Sequence, residues 1–157
     1  MMKEIVVFFL SGKEYGVEIG GMQGFENYVP MTEVSDPDGK MLGVVSIRGE
    51  MVPIINIKKC LVLPPVGVTE DTKYVILRTN NGKVGFVVDG VSQILRIEGD
   101  DIQECPRLLQ GKETKYVDFI ARKEMNLVLV INPEGILTEK EWKNIRNTIQ
   151  DMEVNDD

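Results

Sequence analysis

Apolar positions in this chain fall into short runs punctuated by glycine, asparagine, aspartate and proline, which is the pattern of a β protein. Ile5–Leu10 is continuously apolar, as expected of a strand covered on both faces. Gly12–Lys13 separates it from Glu14–Ile19, and together they predict a first hairpin. Gly20–Gly21 breaks the pattern, and a short strand is expected next only around Tyr28–Val29. Ser35–Lys40 (SDPDGK) is dense in turn formers and reads as an exposed loop.

The organising stretch follows. Val44–Ile47 and Met51–Ile57 flank Arg48–Gly49–Glu50, which predicts a hairpin whose reversal uses the positive φ that Gly49 tolerates. Pro53 cannot donate a ladder hydrogen bond, so an edge strand or a bulge is expected there. Lys58–Leu61 predicts one helical turn, stopped by Leu63–Gly67, and Val66–Asp71 reads as the best internal boundary. Lys73–Thr79 and Lys83–Val88 around Asn80–Asn81–Gly82 form the clearest hairpin signal. Strands are expected at Val91–Ile97, Tyr116–Arg122 and Asn126–Ile131, with a loop over Leu108–Thr114.

Only the tail is helical by pattern. Thr138 and Glu141 make a capping box, and Trp142, Ile145, Ile149 and Met152 recur as one apolar stripe expected to pack on the chain's own body. The helix is predicted over 138–152, with an acidic tail at 153–157.

A faint duplication is also legible. Gly12–Val17 echoes Gly82–Phe86, and Arg48–Gly49–Glu50–Met51 echoes Arg122–Lys123–Glu124–Met125, each later run ending near an asparagine (Asn56, Asn132). Two similar small β-barrels side by side would account for it, since closure removes the exposed edges of many short strands.

Composition narrows the chemistry. A net charge of −7, with aromatics at only 6 % of the chain, fits poorly with a nucleic-acid platform. The chain has no histidine, so the commonest general base and zinc ligand are both missing. Phosphate loops, nucleophile elbows and metal-spaced ligands are not found either, so no cofactor and no enzymatic activity are expected. Adjacent Asp100–Asp101 would diverge into solvent, and a small carboxylate-based hydrolase stands only as an alternative that requires a pocket of paired acids. No apolar run reaches the length of a membrane span and the N-terminus does not read as a signal peptide, so no membrane insertion is expected. Cys60 and Cys105 are expected as free thiols in a reducing cytosol. Protein binding remains. Arg48 stands out, because a guanidinium at the tip of an apolar hairpin must be solvated, paired, or offered to a partner.

The run GVVSIRGEMVPIINI resembles the signature of the CheW family of bacterial chemotaxis adaptors. Val7–Leu10 with Glu14–Ile19, Val84–Val91 and Leu127–Ile131 extend the likeness over Glu4–Leu137. The resemblance implies a mostly β fold of two SH3-like five-stranded β-barrel subdomains packed side by side, with a C-terminal α-helix. It is read here as one domain over 4–137, with subdomains at about 12–68 and 69–137 and the strand 4–11 a candidate for sharing. It also implies a scaffold that bridges the cytoplasmic tips of chemoreceptors to the regulatory domain of a histidine kinase, in the cytoplasm and recruited to receptor arrays, and monomeric in isolation. A docking module of another signalling system is the alternative. Carried over by position, the partner-binding residues fall on Arg48, Gly49 and Gly43, and on Met22, Gly24 and Phe25. Two positions depart from the pattern. Gly24 stands where a glutamate is usual and Ser46 where an asparagine is, which bears on partner choice.

Overall fold

The structure, a computed structural model, describes residues 2–36, 38–104 and 116–154. Twelve strands form two six-stranded sheets. In chain order they are β1 (Met2–Leu10), β2 (Lys13–Glu18), β3 (Met22–Asn27), β4 (Thr32–Glu33), β5 (Met41–Ile47) and β6 (Glu50–Ile55), followed by a short helix, α1 (Ile57–Cys60). Then come β7 (Lys73–Thr79), β8 (Gly82–Val88), β9 (Gly90–Glu98), β10 (Ile102–Gln103), β11 (Val117–Lys123), β12 (Asn126–Ile131) and the C-terminal helix α2 (Glu139–Val154).

Sheet A runs β10-β11-β12-β2-β1-β9 and sheet B runs β3-β7-β8-β6-β5-β4. In each sheet the two terminal strands are sequence neighbours, β9 and β10 across residues 99–101 and β3 and β4 across 28–31. So short a link between opposite ends forces each sheet to curl on itself, which gives the two barrels. Each carries a sixth strand beyond the five expected, because the two-residue β4 and β10 complete the seam.

The two sheets are the same diagram written twice. β1–β2 corresponds to β7–β8, β9 to β3, and β10–β11–β12 to β4–β5–β6, with β12 parallel to β2 as β6 is to β8. Gly16 pairs with Val130 and Gly85 with Ile54, so the two glycines are counterparts. Both are needed for close approach: a Cβ on Gly16 would stand 2.5 Å from Ile5 Cγ2, and one on Gly85 2.8 Å from Ile54 Cδ1. The duplication is therefore real, but its second half is shifted. Counterparts counted from the glycine pairing set Arg48 against Glu124, not Arg122, and these two share a positive φ of 52° and 55°.

The expected division at 66–71 separates the sequence repeats and not the barrels. Sheet B is built from residues 22–88, whereas sheet A joins β1–β2 to β9–β12. Each repeat donates its first hairpin to the other repeat's barrel, so a boundary read from composition falls inside sheet B. The chain crosses between barrels at a 3-10 turn, Ile19–Gly21, and at Asp89. Asp89 pins its crossing. Its carboxylate accepts from Ser11 N at 2.7 Å and from Lys58 Nζ at 2.7 Å, and its own N–H donates to Phe9 O.

Alternation distributes the core. Ile5 and Val7 point into barrel A with Phe119, Val128 and Val130, while Val6, Phe8 and Leu10 face a larger core shared with barrel B. That is why β1 is apolar on both faces. Tyr74 and Ile76, the counterparts of Ile5 and Val7, fill barrel B with Val45, Val52 and Ile54. The capping box forms as read, Glu141 N donating to Thr138 Oγ1 and Thr138 N to Glu141 Oε1. Trp142 and Ile145 of α2 then bury in the shared core, with Ile149 and Met152 packed beside them.

Two local expectations change. The strand expected around Tyr28–Val29 lies instead at Met22–Asn27 and leaves Tyr28–Val29 outside it, because pairing with β7 outweighs the glycines. Pro53 lies on an interior strand, yet β6 pairs with β8 only at Ile54 and Ile55, so the proline sits where that side has no ladder. Cys60 is a buried free thiol, raised in pKa first by burial, while Cys105, the 108–114 loop and the end of the acidic tail lie outside the described residues.

Candidate functional site

β3 and β9 each carry a bulge at the same place. Met22 pairs with Leu77 and Gly24 with Ile76, leaving Gln23 as the extra residue, while Val91 pairs with Phe8 and Gln93 with Val7, leaving Ser92. A bulge bends its strand and re-aims the side chains beside it. The four residues at each bulge, Met22–Phe25 and Val91–Ile94, are therefore structural counterparts. Between them runs a groove of about 380 Å³, lined from both strands and also by Val6 and Ile19. Its lining is largely apolar although it faces solvent, with Val91 44 % and Ile94 60 % exposed. Apolar side chains held open to water in a concave strip favour a partner that covers them.

Of the residues singled out in the sequence, Met22, Gly24 and Phe25 line this groove. Arg48 and Gly49 form the two-residue turn of the β5–β6 hairpin, both with positive φ (52° and 83°), the geometry of a type I′ turn. The curl of sheet B brings this tip beside β3, where Arg48 Nη2 stands 3.6 Å from Glu26 Oε1, next in sequence to Phe25. The guanidinium is 80 % exposed, and so open an ion pair contributes little stability. Arginine is also an unfavourable choice for a left-handed backbone position that glycine or asparagine would occupy without strain. Gly43 is not brought to this surface. It is buried beneath β4, where a Cβ would strike Thr32 O and the Met31 side chain, so packing accounts for it. Ser46 is exposed on β5.

The β9 wall escaped the sequence reading. The sequence predicts a strand over Val91–Ile97, but a bulge at Ser92 interrupts the alternation that would mark its outward residues. The signal was present in the duplication, because setting Gly16 against Gly85 carries Met22–Phe25 onto Val91–Ile94.

A second, larger apolar concavity of about 750 Å³ lies on barrel B between Tyr28, Met31, Leu42 and Val87 and the segment after α1. It shares no lining residue with the groove. Val62 at its rim is 74 % exposed and held at φ 56°, a strained setting for a β-branched residue. Val62 N and Leu63 N cap α1 by donating to Lys59 O and Lys58 O, which fixes the strained residue in place.

Titratable groups are sparse at these surfaces. Burial, followed by the neighbouring Glu18 carboxyl, pushes Asp118 above the usual carboxylate range. That carboxyl pair lies on barrel A and lines neither concavity. No group of three histidine, cysteine or carboxylate side chains is placed to hold a metal among the described residues, and no helix there is long and apolar enough to cross a membrane.

Comparison with known proteins bears on this arrangement. A family model described as CheW-like domain matches residues 4–141. The chemotaxis protein CheW of Bacillus subtilis (strain 168) is 25 % identical over 138 residues, covering 88 % of each chain. That of Klebsiella aerogenes is 27 % identical over 145 residues, covering 92 % of this chain and 87 % of the relative. The crystal structure of scaffolding protein TtCheW from Thermoanaerobacter tengcongensis superposes with a TM-score of 0.79 at 26 % identity, covering 87 % of this chain and 92 % of that one.

Proposed function

This chain belongs to the CheW-like domain family, and on that premise we propose that it is a non-enzymatic adaptor coupling the cytoplasmic tips of chemoreceptors to the regulatory domain of the chemotaxis histidine kinase. The family carries a chemotaxis scaffold role. In this reading a receptor helix lies in the groove between β3 and β9, with Arg48 and Gly49 at its rim. The kinase domain docks on barrel B around the second concavity, and the adaptor works in the cytoplasm at receptor arrays.

The observation that carries the reading is the groove itself, an apolar strip opened to solvent by two matched bulges. A helix with an apolar stripe is the natural occupant of such a strip. Gly24 places no carboxylate on the wall, so the hold on the receptor rests on apolar packing, with charge contributed from the rim by Arg48. The separate second concavity supports an adaptor in particular, since two partners bound at once need two surfaces.

Ile94→Asp tests this. The side chain is exposed, so the fold is retained, and the charge opposes an apolar helix. A purified receptor cytoplasmic fragment is expected to lose binding while the kinase regulatory domain still binds. Undiminished receptor binding would remove the groove from the interface.

A further inference from the structure

Among the described residues, only two buried side-chain polar atoms find no hydrogen-bond partner, Trp142 Nε1 and Gln23 Oε1. Trp142 is packed in the shared core. Gln23 is the bulged residue of β3 and lines the groove. Its carbonyl oxygen is sealed from solvent although the residue as a whole is half-exposed. The counterpart bulge residue solves the same problem differently, Ser92 Oγ donating to Glu14 Oε2 at 3.4 Å.

We infer that Gln23 is the specificity-determining residue of the groove, its amide turning outward on occupancy to accept a hydrogen bond from a donor side chain set within the apolar stripe of the bound helix. The inference rests on the receptor-groove reading above. An unpaired buried acceptor destabilises the free protein, and an occupant that supplies a donor removes that deficit, so the binding energy favours helices with an amide or hydroxyl at one place. Apolar grooves commonly obtain orientation from a few such polar groups, which fix the register of a ligand that could otherwise slide. Bulges are where a strand re-aims a side chain for this purpose.

Gln23→Met keeps the length of the side chain and removes the amide. Its melting temperature is expected to rise by a few degrees, while affinity for the purified receptor fragment falls about tenfold. A purely structural glutamine would not move the two readouts in opposite directions. An unchanged or lowered melting temperature, or unchanged affinity in a protein whose Ile94→Asp variant has lost binding, overturns the role of Gln23 and leaves the groove in place. If Ile94→Asp binds as tightly as the parent, the groove reading and this inference fall together.

Discussion

Barrel A and barrel B have the same strand diagram, so each serves as the control for the other. Where they agree, the fold dictates the feature: Gly16 and Gly85 at the parallel crossings, a bulge at the matching places Ser92 and Gln23, and Asn132 and Asn56, whose side chains cap the turns after β12 and β6. Where they differ, the fold is indifferent. One hairpin tip carries Arg48–Gly49 and the other Glu124–Met125, the methionine 97 % exposed. One bulge residue is hydrogen-bonded and the other is not. The lesson is that a duplicated fold separates structural residues from functional ones within a single chain.

The hardest test of that separation falls on the shared glycines. Gly16→Ala should destabilise by about 2–3 kcal/mol and Gly85→Ala by somewhat less, because overpacking at a close crossing forces the neighbours to shift. At Gly16 the new methyl also meets Val6 O at 3.1 Å, while at Gly85 the nearest atoms are the mobile ends of Ile54 and Ile76. Urea unfolding of the two variants checks both size and order. A free substitution at either site would mean that the crossings do not constrain the fold.

The tips should behave in the opposite way. Arg48→Glu is expected to leave the melting temperature unchanged and weaken the receptor fragment about tenfold, with a reduced salt dependence, as for a charge at the rim of an interface. Glu124→Arg is expected to change neither. Equal losses at both tips would mean that they do the same work, and the contrast between the barrels would fail there.

The smallest effect is confined to alkaline solution. Burial, then the nearby Tyr28, pushes the Tyr74 phenol up to about 12. Its counterpart in barrel A is Ile5, which cannot ionise. The folded state therefore holds its proton where the unfolded chain, at the ordinary value of about 10, has lost it. Stability from this group is complete below pH 10 and declines as pH rises from 10 to 12. Tyr74→Phe should flatten that decline in unfolding midpoints measured across this window, at the cost of the hydrogen bond the hydroxyl donates to Val29 O.

Much of this was legible in the sequence, for local reasons. Turn chemistry placed most of the hairpins, the capping box placed α2, and the duplication was visible as weak self-similarity. The resemblance placed Met22, Gly24 and Phe25 on what proved to be one wall of a groove. Long-range features were not legible. The exchange of hairpins rests on parallel pairings only two residues long, Ile54–Ile55 with Gly85–Phe86 and Leu129–Val130 with Tyr15–Gly16. Nothing in composition marks such a pairing. A bulge is equally silent, because one extra residue in a strand looks like any other residue, and with it went the β9 wall and the unpaired amide of Gln23.

The exchange also sets an order for synthesis. Barrel B lies wholly within residues 22–88 and can close as soon as Val88 clears the ribosome, before β9–β12 have emerged. The first hairpin is made before all of it and completed last, for β2 has no strand to meet on its far side until β12 is translated. At about 5–20 residues per second that wait lasts roughly 6–20 seconds. Through it, the outer face of a hairpin meant for barrel A stands uncovered on the nascent chain, which makes the strand pair that waits longest for its partner the one most in need of a chaperone.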